Sequence, residues 1–225
     1  MTVDGEVAHL GQRVDPREAR VEVDGVPAIV RDDVVTYLLN KPRRVVTTAH
    51  DPQGRPTVVD LVPTEPRVFP VGRLDYETEG LLVLTNDGEL AHAVTHPRYG
   101  VEKEYLVEVT GAPSRATLRR LREGVVLDDG RTAPADVRLV QARGDESALE
   151  IVVHEGRNRL VRRMCEAVGH PVRRLVRTRI GPISDRRLAP GTWRVLQPAE
   201  VQALYTAASS ATPGQTAPIA DSKPD

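Results

Sequence analysis

The sequence predicts an α+β fold on a largely antiparallel, mixed sheet. Three observations predict it: many short β-branched runs set off by turn residues, few amphipathic helical stretches, and no regular strand–helix alternation. At 225 residues, 40% hydrophobic and 28% charged, the chain has the composition of a globular protein with one generous domain and a small appendage. Five Tyr, one Trp and one Phe leave the core to Val, Leu, Ile and Ala.

Residues 1–28 read as short strands and turns, with VDG at 3–5 and 23–25 and RVDP at 13–16, too sparse in apolar positions to bury a core. A strand follows over 34–40 and ends before Lys41-Pro42, because proline disfavours regular continuation. Residues 57–62 suggest a helical turn, 68–74 and 81–85 buried strands, and 89–95 a helix closed before Pro97. Over 102–110 the alternation places Tyr105, Val107 and Val109 on one face and Glu104, Leu106 and Glu108 on the other, so this is a strand. A helix over 114–122 takes Ser114 as its N-cap, and strands follow near 135–142 and 148–154. Residues 158–168 form an amphipathic helix with Leu160, Val161, Met164, Cys165 and Val168 on its apolar face and Gly169 as its C-cap. A strand over 172–180 and a helix over 198–207 complete the set. The last twenty residues, 206–225, are small, polar and proline-rich, and read as a disordered tail.

No apolar run approaches the roughly 18–20 residues that span a bilayer, and the N-terminus lacks a signal-peptide layout. The single Cys165 excludes an intramolecular disulfide and suits a reducing compartment. The expected location is cytoplasmic, with no membrane partner. Nothing suggests an obligate interface, so a monomer is expected.

The net charge of −1 hides an asymmetry. Ten arginines face only Glu166 and Asp185 between Arg157 and Arg187, giving this stretch +8 and the rest of the chain −9. Lysine occurs only at 41, 103 and 223. Guanidinium forks bind phosphate and stack on bases, so concentrated arginine points to nucleic acid, although a solvated basic face has the same composition.

Asp75 is the foremost candidate for chemistry. It follows an apolar strand, opens the turn-like segment 76–80 and sits two residues from Arg73, where a rigid scaffold can present a reactive side chain. On spacing alone, a turn aspartate bonded to its own backbone is the commoner occupant of such a place. His92 and His96 lie four apart, but Ala93-Val94-Thr95 between them lacks the glutamate of a zinc-protease helix, and no metal is expected. Cys165 reads as inert core and Trp193 as a packed aromatic. No nucleophile-elbow sequence supports serine hydrolysis.

The run GRLDYETEGLLVLTNDG (72–88) resembles the signature of the RsuA-type pseudouridine synthases, which modify uridine in bacterial ribosomal RNA. Three further stretches resemble that family in the same order: LLNKP (38–42), KEYLVEV (103–109) and EGRNRLVRRMCEAVGHPVRRLVRTRIGPI (155–183). The resemblance spans about residues 1–205. It implies a pseudouridine synthase catalytic domain over 31–205, a partial S4-like RNA-binding segment over 1–30, and the tail over 206–225.

It also implies roles. Asp75 becomes the nucleophile at C1′ of a flipped uridine, much as a glycosidase carboxylate acts at its sugar carbon. Tyr105 packs on the base and takes the C5 proton, although core packing with Val107 and Val109 is its simpler local reading. Arg162 pairs with Asp75, and Arg73 contacts the RNA backbone or holds the base out of the stack. Lys103, Arg157 and Arg159 contact phosphate. The base stays in the pocket, so no cofactor is needed.

Two departures stand out. Leu160 occupies a position where a polar residue is usual, which puts one substrate contact in doubt. Residues 1–28 resemble only the last half of an S4 module, so either the protein lacks a working S4 module or its reading frame begins further upstream, and we expect the latter. The expected substrate is ribosomal RNA, with large-subunit RNA favoured over small-subunit RNA. A non-catalytic RNA binder would need none of Asp75, Tyr105 and Arg162, and a nucleoside hydrolase would release free uracil.

Overall fold

The computed structural model describes residues 1–9, 11, 12, 14, 19–23, 25–27 and 34–210. Their contacts form two units, Met1–Val34 and Val35–Asp225. In the first, strands β1 (Thr2–Val3), β2 (Glu6–Val7), β3 (Val21–Val23) and β4 (Val26–Pro27) make an antiparallel ribbon in the order β2-β1-β3-β4. Asp4 Oδ1 accepts the Arg20 amide at 2.8 Å and pins β3 beside the first hairpin. Val3 is the one buried apolar side chain among the described residues of this unit. These strands fall where the S4-like segment was expected, and part of the 13–16 turn lies outside the described residues.

The second unit runs β5 (Thr36–Lys41), β6 (Phe69–Val71), β7 (Glu79–Thr85), α1 (Gly88–Thr95), β8 (Lys103–Thr110), α2 (Arg115–Glu123), β9 (Val126–Leu127), β10 (Gly130–Arg131), β11 (Asp136–Arg143), β12 (Glu146–Val153), α3 (Leu160–Ala167), β13 (Val172–Ile180), β14 (Ile183–Ser184), β15 (Trp193–Val195) and α4 (Pro198–Ser210). Among the described residues its main sheet has the order β11-β12-β8-β13-β7-β5-β15, with β14 on β13 and β6 on β7. Every pairing is antiparallel except β13 with β7. The fold is therefore α+β on a mixed, mostly antiparallel sheet.

The parallel junction depends on Gly80. Its φ is 109°, and a Cβ there would overlap the Arg177 carbonyl and amide, so only glycine lets β7 approach β13 this closely. The middles of β5 (Tyr37, Leu38, Leu39) and β7 (Leu81, Leu82, Val83, Leu84) are apolar because both faces are covered. Leu38, Leu81 and Val83 meet α1 and α4 on one side, while Tyr37, Leu39, Leu82 and Leu84 meet Val45, Val58 and Val68 on the other. A third cluster packs α2 and α3 against β8, β12 and β13 through Leu121, Met164, Val107, Ile151 and Leu175.

Several expectations need correction. The first strand of this unit runs to Lys41, whose side chain is fully buried, and Pro42 ends it one residue later than expected. The strand expected over 68–74 is only Phe69–Val71, because Gly72, at φ 74°, turns the chain out of the sheet. The helix expected from Asn158 begins at Leu160, since Arg159 is left-handed at φ 50°. Helix α4 reaches Ser210 and takes 206–210 from the expected tail, because Leu204 and Ala208 anchor it in the core. Residues 211–225 lie outside the described residues. Trp193 is 38% exposed on a sheet edge, packing edge-on against Tyr37 at 5.0 Å. Ser114 does cap α2, accepting the Thr117 amide at 3.1 Å. No helix among the described residues is long and apolar enough to cross a membrane.

Candidate active site

The segment from Gly72 to Thr78 leaves the sheet between β6 and β7 and is clamped from both sides. Leu74 is buried, and Thr47 Oγ1 donates to its carbonyl at 2.7 Å and accepts its amide at 3.3 Å. Farther on, Lys41 Nζ donates to the carbonyls of Thr78 at 2.8 Å and Pro42 at 3.0 Å. The Arg44 amide donates to Tyr76 O at 2.8 Å. Burial pulls the Lys41 ammonium down to about 8, against the opposing pull of Asp75, Glu77 and Glu79.

Asp75 stands between these clamps. A turn aspartate would spend its carboxylate on nearby amides, but among the described residues the Asp75 carboxylate accepts no backbone amide, and only its carbonyl takes the Thr78 amide, at 3.0 Å. Its two neighbours are guanidinium groups: Arg159 Nη1 at 3.8 Å and Arg162 Nε at 3.9 Å, both from Oδ2. Its side chain is 32% exposed, so the carboxylate is reachable from outside while facing fixed positive charge.

Arg162 projects from the first turn of α3 with 13% of its side chain exposed. Nη2 donates to Thr78 Oγ1 at 3.2 Å and to Glu77 O at 3.4 Å. Nε is buried without a hydrogen-bond partner, slightly too far from Asp75 to close the contact. Burial, followed by the Arg159 charge, lowers the pKa of this guanidinium, and Asp75 only partly offsets the two. The cation is held ready at an energetic cost.

Asp75 opens into a cleft of about 440 Å³ whose walls include Arg73, Lys103, Tyr105, Arg157, Arg159 and Arg177. That size suits a single base and sugar. A larger cavity of about 1240 Å³ lies between α4 and the segment 97–102, away from Asp75 and Tyr105. It offers a few scattered charges but no carboxylate between two guanidiniums, so the smaller cleft is the candidate active site.

The sequence-derived candidates sort as follows. Tyr105 faces the cleft while packing against the clusters on both sides of it, so its two readings coexist. Arg73 lines the cleft and its side chain has no protein partner among the described residues. Arg159 is 54% exposed at the side chain. Arg157 is different. It contacts Glu155 and Asp129 and donates to the carbonyls of Asp129, Gly130 and Arg131, so its donors are taken up in holding the β9–β10 hairpin. Lys103 is drawn into the wall, donating to Val94 O at 3.2 Å, and burial followed by the Arg177 charge lowers its ammonium to about 8.

Lys41, Thr47, Thr78 and Arg177 were missed as site residues. Lys41 lies in LLNKP and Arg177 in the arginine-rich stretch, so position offered a hint, but only tertiary contacts reveal what they hold. Elsewhere, His96 Nδ1 accepts the Arg98 amide, and burial pushes the Cys165 thiol up to about 12.

Residues 35–167, more than half of the chain, match the family model described as RNA pseudouridylate synthase. The chain belongs to this family. An "Uncharacterized RNA pseudouridine synthase" of Aquifex aeolicus (strain VF5) is 48% identical over 209 residues, covering 91% of this chain and 83% of the relative. The "Ribosomal large subunit pseudouridine synthase B" of Bacillus subtilis (strain 168) is 43% identical over 206 residues, covering 90% and 84%. Among solved structures, one described as "Crystal structure of pseudouridylate synthase" superposes with a TM-score of 0.70 at 27% identity, covering 90% of this chain and 87% of that one. As a family member the protein is an RNA pseudouridine synthase, an isomerase, of the RsuA type.

Proposed function

We propose that this synthase isomerises a specific uridine of ribosomal RNA, in the large subunit, with Asp75 attacking C1′ of a flipped nucleotide. The observation that carries this reading is the Asp75 carboxylate, free of backbone bonds and set between Arg159 and Arg162 at the mouth of a nucleotide-sized cleft. The names of the Bacillus subtilis relative and of similar ones in Vibrio favour ribosomal RNA and its large subunit.

The chemistry follows from the placement. A duplex or stacked loop hides C1′, so the uridine must turn out into the cleft, where the Tyr105 ring offers a face for the base. The N1–C1′ bond breaks with its electron pair going to the base, and an Asp75 oxygen bonds C1′. The base turns within the cleft, C5 attacks C1′ and displaces the carboxylate, and the C5 proton is relayed through the Tyr105 hydroxyl, which gives up its own, and through solvent to N1. Atoms and electrons balance without a co-substrate. Arg73, with no protein partner among the described residues, and Arg159, more than half exposed beside Asp75, bind the flanking phosphates. Arg157 acts on the RNA only through the hairpin it braces. The enzyme works as a cytoplasmic monomer.

Mapping pseudouridine in ribosomal RNA from a strain lacking the gene, complemented with the parent or with Asp75→Ala, tests this reading. One large-subunit uridine should lose its modification in the deletion strain, regain it with the parent and not with Asp75→Ala. An unaltered large-subunit map would refute the substrate, and restoration by Asp75→Ala would refute the nucleophile.

A further inference from the structure

Two cations in the cleft have no role in that scheme. Lys103 and Tyr105 lie two residues apart on β8, and Arg177 lies directly across from Tyr105 on β13, so the three side chains share one sheet face. Lys103 Nζ uses one of its three donors, on Val94 O, and forms no ion pair among the described residues. Arg177 is 5% exposed, donates Nε to Leu81 O at 2.7 Å, and leaves Nη2 buried with no partner. Among the described residues neither meets a carboxylate. The two carboxylates of the cleft wall are otherwise engaged, Asp75 with Arg159 and Arg162, and Glu155 with Arg157. A buried guanidinium and a half-buried ammonium with spare donors and no counterion are costly unless a bound group completes them.

We propose that Lys103, assisted by Arg177, binds the uracil ring and stabilises the negative charge it acquires as it leaves C1′. The inference rests on Asp75 acting at C1′. Breaking N1–C1′ leaves the bonding pair on the base as a uracil anion, spread over N1, O2 and O4, while Asp75 holds the sugar. The anion must remain in the cleft and turn until C5 faces C1′. An ammonium donating to a ring carbonyl opposes escape and follows the charge through the turn. Preorganised donors aimed at developing charge act most strongly where water is excluded, and Lys103 lies in the wall of the cleft rather than on its rim. Lys103 thus becomes a catalytic residue, in place of the phosphate contact expected from sequence.

Single-turnover assays of Lys103→Met on RNA carrying uridine or 5-fluorouridine at the target position test the proposal. Fluorine makes the leaving base a weaker base, so it needs less help from the protein. Lys103→Met should cleave the N1–C1′ bond of the uridine RNA about 10²-fold more slowly, with RNA affinity within about twofold of the parent. Its loss on the 5-fluorouridine RNA should be at least about fivefold smaller, and Lys103→Arg should recover part of the rate. Methionine keeps the buried stem and leaves no carboxylate unpaired, and a melting curve checks that the variant is folded. Equal losses on the two RNAs, or weakened RNA binding with an unchanged single-turnover rate, would overturn the proposal. Asp75→Ala in the same assay separates the two readings. Cleavage by that variant defeats the nucleophile assignment, whereas an inactive Asp75→Ala beside equal Lys103→Met losses defeats only the Lys103 role.

Discussion

Replacing Arg162 with methionine should lower activity without lowering stability. Arg162 Nε stands 3.9 Å from Asp75 Oδ2, with Nη2 tied to Thr78 and Glu77. At that distance the pair is worth roughly 4 kcal/mol at an effective dielectric of about 20 and roughly 1 kcal/mol in water. Asp75 is 32% exposed, which discounts the larger figure to about 2 kcal/mol. If that attraction positions the carboxylate for attack, its loss slows single-turnover pseudouridine formation by about thirtyfold. Stability should move the other way. Burial opposes the Arg162 charge more than Asp75 favours it, and methionine fills the same space without that cost. The melting temperature of Arg162→Met should therefore equal or exceed the parent's. A rate within threefold of the parent would show that the pair is idle. A fall of more than about 5 °C would show that Arg162 serves mainly the fold.

Three further outcomes are expected. Gly80→Ala should destabilise the protein by about 3 kcal/mol or more in urea unfolding, because its Cβ meets the Arg177 backbone at a φ of 109°; a loss under about 1 kcal/mol would mean that β7 and β13 separate easily. Arg159→Ala should reduce the slope of log affinity against log salt by about one contact's worth, while Arg157→Ala should leave the slope alone and lower stability through the β9–β10 hairpin. Equal slope changes would contradict that division. Lys41 titrates near 8 when folded and 10.5 when unfolded, so the unfolded chain holds the extra proton between those values. The Lys41 contribution therefore opposes folding below about pH 8 and is relieved as pH rises toward 10.5, by up to roughly 3 kcal/mol. The stability difference between the parent and Lys41→Met, followed from pH 7 to 10, should shift in the parent's favour, and a flat difference would rule out the titration.

The sequence made the catalytic core more legible than its supports. Period-two alternation over 102–110 placed Tyr105, Val107 and Val109 on one face, and the sheet uses that face. The apolar positions of 158–168 likewise gave the buried side of α3. These features are local, and each residue's role follows from its neighbours in the chain. What stayed hidden depends on distant partners. Lys41 is fully buried because the 72–78 segment folds over it, and nothing within LLNKP announces that. Arg157 and Arg159 look alike in GRNR, yet one braces the hairpin that begins at Val126 while the other faces Asp75. Asp75 itself reads as a turn residue until α3 brings Arg162 against it from 87 positions away.

Purified Asp75→Ala, mixed with an RNA bearing the target uridine and followed through a single turnover, addresses the central assignment most directly. With Asp75 as the nucleophile at C1′, the variant should bind the RNA as the parent does and form pseudouridine at least about 10³-fold more slowly. Pseudouridine formed at a rate near the parent's would contradict it and leave the carboxylate between Arg159 and Arg162 without a chemical role.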